Sequence, residues 1–383
     1  MTRPALSGRP GRESTRVAIV HDWLTGMRGG EKVLEAICDL YPDATLFTLV
    51  RVPGTVSEKI ERHRIRTSFV NRLPGAGRFY RHYLPIFPLA VELLDLDGYD
   101  LVISSSHCCV KSVIPRGGAT HVCYCHSPMR YAWDQFDAYF GVDQVGWWGN
   151  RALRPVMAAL ARWDAATAHR VHRFLANSQY VAGRIRRYYN RGSTVVYPPV
   201  DTEYYRPDDG ASSSAGGMLV VSALVPYKRL DLAIDACRRA HVPLKIVGRG
   251  PEEARLRRLA AGAPVEFLGW RSDEEIRTLY RTAAAVLLPG TEDFGIVPVE
   301  AQACGTPVIA FAAGGATESV VDGETGLLVP EAEPEAFAEA IDRATKRRFD
   351  RAAIRANAER FSTARFKHAF AAAVDDAVAG AGS

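Results

Sequence analysis

Residues 285–310 read "AVLLPGTEDFGIVPVEAQACGTPVIA". The stretch opens on the apolar run "AVLLPG", passes through a polar loop, enters the helix "PVEAQACG" and closes on a second apolar run, "PVIAFAA". Short apolar runs on either side of a helix are strands covered on both faces, the mark of a parallel sheet. The same alternation extends outward. "MLVVSAL", "PLKIVGRG", "VEFLGW" and "GLLVP" are further strands of this half, interleaved with the helices "LDLAIDACRRA", "EEARLRRLAA" and "DEEIRTLYRTA". In the first half "RVAIVHD", "ATLFTLV", "DLVISSS", "THVCYCH", "RFLANS" and "STVVYPPVD" read as strands, with the helix "EKVLEAICDLY" after the first and a long helical segment from about Asn150 to Ala168. Two such runs predict an α/β protein of two doubly wound, Rossmann-like domains facing a cleft. The small-residue run "PDDGASSSAGG" separates them. The predicted organisation is a disordered tail over 1–15, a first domain over 16–205 and a flexible linker or loop over 206–217. A second domain follows over 218–360, then a C-terminal helix and tail over 361–383. That last helix, "TARFKHAFAAAVDDAV", is amphipathic, and the sequence leaves its docking site open, the first domain included.

Composition narrows the class. The chain has 383 residues, 47% hydrophobic and 24% charged, which suits two or three domains with their own cores. A net charge of +5 does not describe a general nucleic-acid binder. The opening "MTRPALSGRPGREST" has no apolar core of a secretory signal, and no stretch reaches the roughly eighteen apolar residues that span a bilayer. Seven cysteines, an odd number without the rhythm of a disulfide scaffold, point to a reducing cytosol.

In doubly wound sheets ligands bind beyond the carboxyl ends of the strands, so the loops after strands carry the candidates. After the first strand, Gly29 and Gly30 precede a helix and offer backbone N–H groups to an anion; a tight strand-to-helix turn explains them equally well. After "THVCYCH", His126 stands beside Pro128 and a cluster of aromatics. His121, Cys123 and Cys125 alternate on one strand, and His107, Cys108 and Cys109 end another, which raises zinc. The spacing matches no common closed zinc site, and buried strand cysteines usually act as small hydrophobes, so no metal is expected. Asp95–Asp97, "DLD", is read as an ordinary turn. In the second half Lys228 and Arg229 sit where a loop meets a helix, a place for a diphosphate or for a solvated helix start. The helix after "EDFG" starts near Ile296–Pro298, which aims the backbone at Gly295, Ile296 and Val297, with a positive dipole end, at a phosphate. Glu292 lies ahead of that helix and Glu300 one turn inside it, so one ligand could bridge both acids.

Glu292-x-Phe294-Gly295, then Glu300, followed by "CGTPVIA" and "GGATESVVDGETGLLV", resembles the retaining glycosyltransferases of family 4, which have the GT-B fold. The likeness runs from about Arg16 to Phe370. "GGEK" matches the family's N-terminal glycine loop, "HSP" its catalytic-domain histidine, and "ANSQYVAGRI" the segment closing the first domain. "HDWLTGMRGGEKVLEAI", "CYCHSPMRYAWDQF" and "VPYKRLDLAI" are closest in wording to bacterial mannosyltransferases of polysaccharide assembly. The resemblance implies a nucleotide-sugar donor, GDP-mannose first, with no cofactor and no metal, and a glycan or lipid-linked acceptor on the first domain. It implies that Glu300 bonds the ribose, Glu292 and Phe294–Val297 meet the donor, and Gly29 and Gly30 add donors to diphosphate and sugar. His126 would lie by the reacting centre, and Lys228, helped by Arg229, would neutralise the leaving diphosphate. Front-face displacement is the reaction the family implies. Many relatives carry an arginine where this chain has Ala223 in "SALVPYKR", which removes one cation from that clamp. The rivals are a UDP-sugar donor, a phosphorylase or epimerase on the same architecture, and a non-catalytic sugar-nucleotide-binding protein.

From Arg62 to His82 the chain reads "RHRIRTSFVNRLPGAGRFYRH", six arginines and no acid, with Phe69, Phe79 and Tyr80 interleaved. A solvated basic face is the plain reading. The sharper one is peripheral contact with an anionic membrane, which places the protein in the cytoplasm at the inner face of the membrane.

Overall fold

The computed structural model describes residues 15–208 and 216–381. Of the expected tail over 1–15, residues 1–14 lie outside the described residues, as do residues 209–215 of the expected linker over 206–217.

Among the described residues thirteen strands form two parallel sheets. The first takes β1 (Val17–Leu24), β2 (Thr45–Arg51), β3 (Arg64–Thr67), β4 (Leu101–Ser106), β5 (Thr120–Cys125), β6 (Arg173–Ala176) and β7 (Thr194–Val195) in the order β3-β2-β1-β4-β5-β6-β7. The second takes β8 (Met218–Val221), β9 (Leu244–Val247), β10 (Val265–Gly269), β11 (Ala285–Leu288), β12 (Val308–Phe311) and β13 (Gly326–Val329) in the order β10-β9-β8-β11-β12-β13. These are two Rossmann-like sheets, as the alternation predicted. The central strands are buried on both faces because helices cover both: β4 and β5 are buried at every position, their serines and His121 included.

Chain contacts divide the molecule into two compact units, one from Met1–Cys125, Arg162–Phe174 and Ala373–Ser383, the other from His126–Ala161 and Leu175–Ala372. The end of the helix Thr363–Ala381 is thereby grouped with the first unit. In the second unit one core layer packs Leu232, Ile234 and Cys237 of the helix Leu230–Ala240 against Phe337 and Ile341 of the helix Pro334–Lys346. The other packs Phe294, Val299 and Phe361 on the opposite face of the sheet.

Four elements depart from the sequence reading. β3 lies inside the basic stretch; its alternation is "RIRT", with arginines where a strand usually shows apolar side chains, and it survives as a sheet edge because solvent takes them. The helices Pro334–Lys346 and Arg351–Glu359 follow β13. The long helix starts earlier than expected, at Val142, and is broken at Gly146, whose φ of 73° is left-handed.

Strand order reverses between β1 and β4 in the first sheet, and between β8 and β11 in the second. The loops leaving those four strands flank the switch points, where open α/β sheets place their ligands.

Candidate active site

In the second unit the loop after β8 forms a single 3-10 turn, Pro226–Lys228, and Arg229 enters the helix Leu230–Ala240 in the left-handed region at φ 51°. The loop after β11 passes directly against it. A Cβ on Gly290 would stand 2.6 Å from the Tyr227 carbonyl oxygen and 2.8 Å from the Lys228 Cα, so only glycine permits this approach. The approach sets the Lys228 ammonium against the Glu292 carboxylate as an ion pair, with the side chains 17% and 13% exposed. Gly295, at φ 83°, then turns the chain into the helix Ile296–Ala303. The first amides of that helix have no partner within it, and the positive end of its dipole stands beside the pair.

Glu300, one turn inside, is buried, and one of its oxygens accepts a 3.0 Å bond from the Tyr280 hydroxyl. Burial, with Glu300 alongside, pushes the Tyr280 phenol far above its ordinary pKa, so it stays a donor. Phe294 is 2% exposed, and its ring packs on Tyr197 and Phe361 in the core. Only its backbone can face a ligand, because an aromatic side chain at this turn is held by the hydrophobic layer beneath. Arg229 turns to Asp231, at 3.2 Å, and not to Glu292.

Sequence reasoning missed a second pair beside the first. Arg130, in the turn Arg130–Trp133 after β5, donates through Nε and Nη2 to the Asp293 carboxylate. Its guanidinium lies 5.6 Å from the centre of the Tyr227 ring, which Lys228 approaches at 5.3 Å and on which Tyr139 stacks at 6.0 Å. Burial works against the arginine's charge, but Asp293 and Glu292 more than offset it and raise its pKa above the ordinary value. The Asp293 carbonyl accepts a 2.6 Å bond from Ser178, which also caps the helix Gln179–Tyr189. Glu318 adds its carboxylate to the Gln179 and Tyr180 amides at 2.8 and 3.0 Å. Half-buried His126 is fixed through its carbonyl, which accepts 3.0 Å from Asn177. The signals available were Arg130 within the conspicuous "HSPMRYAWD" and an aspartate between two site candidates; their contact spans 163 positions.

In the first unit Gly29 and Gly30 open the helix Gly29–Leu40, with Arg28 as its cap. The Arg28 N–H donates to Glu31 at 3.1 Å, and buried Glu31 reaches His21 at 3.6 Å. Burial alone would raise the Glu31 carboxyl; His21 reverses this and leaves it below the usual range. The residue that organises this switch point is Asp22, unremarked in "RVAIVHD". One of its oxygens accepts from the His107 and Cys108 amides at 2.7 and 2.9 Å, the other from Cys109 and Val110 at 2.8 and 3.1 Å. Burial would raise its pKa, yet it is lowered, by His107 and these amides. Burial also depresses His107 itself, so at neutral pH the amides are what keep Asp22 ionised.

Asp22, Cys108 and Cys109 could gather a metal, their ligand atoms lying within 4.8 Å of one another. Both Asp22 oxygens are already taken by amides, and burial pushes the Cys109 thiol far up, so a metal would have to displace four hydrogen bonds. His121 is likewise engaged, by Ser104 at 2.8 Å and the Arg170 carbonyl at 3.0 Å.

Residues 28–204 match the family model "Glycosyltransferase Family 4", and residues 203–361 match "Glycosyl transferases group 1". Among curated relatives, D-inositol 3-phosphate glycosyltransferase of Frankia alni is 38% identical over 177 residues, 39% of this chain and 43% of that protein. The protein of the same name from Mycobacterium bovis is 38% identical over 167 residues, 39% of this chain and 35% of its own length. The chain thus spans less than half the length of these relatives. Among solved structures, Anabaena Alr3699/HepE in complex with UDP aligns with a TM-score of 0.69 at 21% identity, over 94% of this chain and 100% of that one. Sucrose-phosphate synthase from Thermosynechococcus elongatus aligns at 0.69 and 20%, over 96% and 100%. At these identities the structural likeness speaks for the GT-B fold.

Proposed function

We propose that this chain, a member of the group 1 and family 4 glycosyltransferases, moves a hexosyl unit, mannose from GDP-mannose first among candidates, onto a glycan or lipid-linked glycan. The observation that carries the reading is the Lys228–Glu292 pair standing ahead of the helix start at Gly295. Breaking the bond between sugar and nucleoside diphosphate puts negative charge on phosphate and oxocarbenium character on the sugar. A fixed ammonium and the amides at Ile296 and Val297 stabilise that charge where it grows. Lys228 and Glu292 satisfy each other. With donor, the diphosphate takes the ammonium and the sugar hydroxyls donate to the Glu292 carboxylate, so neither charge is left buried and unpaired. Glu300 takes the ribose hydroxyls while keeping Tyr280. Arg130, fixed by Asp293, supplies the second cation that Ala223 does not. The family resemblance assigns His126 to the reacting centre and Gly29 and Gly30 to amides for the donor.

A UDP-sugar donor is the second reading, favoured by the UDP and UDP-glucose in the Anabaena structures. The relatives' names add inositol phosphate to the acceptors worth testing. Among the described residues no helix is long and apolar enough to cross a membrane. The seven free, buried thiols support the reducing setting read from the sequence. The test is a donor screen with GDP-mannose, UDP-glucose and UDP-GlcNAc, read by hydrolysis and by melting shift. One sugar nucleotide should both stabilise and be hydrolysed. No shift and no hydrolysis with all three would overturn the proposal; a shift without turnover on any acceptor would leave a binding protein.

A further inference from the structure

β3 is an edge strand of four residues, and beside it the first unit holds a cavity of about 300 Å3. Phe47 of β2, Phe69, Ala90, Leu93 and Leu94 form its apolar wall, with Arg66 and Asp95 as its charged residues. The apolar wall continues onto the surface. Leu93 is 63% exposed, Leu89 one helical turn before it 55%, and Phe79 47%. This volume sits at the low end for small-ligand sites, which suits a single hydrocarbon chain.

The same stretch of chain carries Arg62, Arg64, Arg66, Arg72, Arg78 and Arg81, all exposed. Among the described residues only Arg62 of the six is ion-paired, to Glu58 at 3.5 Å. Three others lie over aromatic rings: Arg66 on Phe47 at 5.8 Å, Arg78 on Phe79 at 5.2 Å and Arg81 on Tyr80 at 5.5 Å. Guanidinium groups laid on rings keep an apolar body against the protein and their charge toward solvent. Within a chain of net charge +5, six arginines without an interleaved acid form a local positive field that calls for an anionic partner. A free phosphate would use the arginines but not the leucines; an apolar protein face would use the leucines but not the arginines.

We infer that this face docks on an anionic bilayer, one lipid chain entering the cavity past Leu93 while the arginines meet the headgroup phosphates. The inference adds a surface to the proposed transfer and rests on it only for the use of a lipid-linked acceptor. The full chain is tested by co-sedimentation with phosphatidylglycerol or phosphatidylcholine vesicles. It should pellet with the anionic vesicles at about 0.05 M salt, be released as the screening length shortens toward about 3 Å at molar salt, and ignore the neutral ones. Arg72→Glu, Arg78→Glu and Arg81→Glu together should lower partitioning roughly a hundredfold or more. Leu89→Ser with Leu93→Ser, which changes no charge, should lower it about tenfold. Both variants should keep the wild-type melting shift with nucleotide sugar, which separates failure here from failure of the proposed transfer and from misfolding. Wild type that stays in solution with anionic vesicles at low salt, or an arginine variant that pellets equally, overturns the inference. A serine variant that pellets equally overturns the lipid-filled cavity. Release by inorganic phosphate where chloride of equal ionic strength has no effect would replace the bilayer with a phosphate site.

Discussion

At the switch point of the first sheet, Asp22 of β1 is held by four amides that follow β4. At the switch point of the second, Lys228 after β8 meets Glu292 after β11. The first junction ties β1 itself to the loop leaving β4, the second ties the loops leaving β8 and β11, and each uses a carboxylate, buried at Asp22 and half-buried at Glu292. They differ in what answers the charge. Asp22 is saturated by backbone that cannot move without unmaking the loop, so its junction is finished. Glu292 is answered by one flexible side chain, and on the proposed function each member of that pair can exchange its partner for a ligand group, a phosphate for Lys228 and hydroxyl donors for Glu292. A carboxylate satisfied by backbone is thus architecture, and one satisfied by a side chain is available to chemistry.

The comparison breaks most visibly at Asp22. Asp22→Ala strands four buried amides and should cost about 3–5 kcal/mol of folding stability, read from the urea midpoint. A near-wild-type midpoint would mean that the loop does not need the acid. Lys228→Ala should behave in the opposite way, with a small change in melting temperature and a fall in kcat of about a hundredfold, as for loss of an oxyanion donor. If its stability falls and its rate holds, the pair is structural after all. Glu300→Gln should weaken nucleotide binding by about 1.5–3 kcal/mol in calorimetry with GDP and UDP. Tyr280→Phe, which removes only the donor behind Glu300, should lose less, and equal losses would place the whole effect in the hydrogen bond between them.

The smallest effect sharpens the account of the first unit. Burial lowers the pKa of His121 to about 3, against 6.5 for a free imidazole. The unfolded chain therefore takes up a proton below pH 6.5 that the folded chain refuses, and stability should fall as pH drops through that window. One such proton is about 1.4 kcal/mol per pH unit, and His107, also depressed, adds to the slope. Between pH 6.5 and 5, above the range where the depressed carboxyls of Asp22 and Glu31 titrate, His121→Gln should reduce the slope by one proton. An unchanged slope would show that folded His121 accepts the proton.

The strands were legible wherever the sheet buries both faces, since "DLVISSS" or "AVLLPG" needs only its own composition to be read. β3 was not, because an edge strand with solvent on its side chains has arginines in place of the apolar signal. The loop around Glu292 could be singled out from a glycine, a proline and two acids at helical spacing. Its pairing could not, since Lys228 lies 64 positions away and Arg130 163 positions from Asp293. The burial of the Phe294 side chain could not be read either, because a residue next to a site and a residue in the core beneath it share the same sequence neighbours. Asp22 was invisible for a related reason: an acid inside an apolar strand gains its meaning from amides 85 to 88 positions on.

All seven cysteines are buried, and burial pushes the thiols of Cys38, Cys123, Cys237 and Cys304 up to about 12. Almost no thiolate exists on them at neutral pH, so the native chain should be close to silent toward maleimides. A cysteine introduced at exposed Leu93 would then carry the sole fast-reacting label, a ready-made position for a fluorophore that reports what approaches that face. The silent thiols keep time in the background. Cys38 and Cys123 lie in the first unit and Cys237 and Cys304 in the second, so the order in which they begin to react records which half of the molecule opens first.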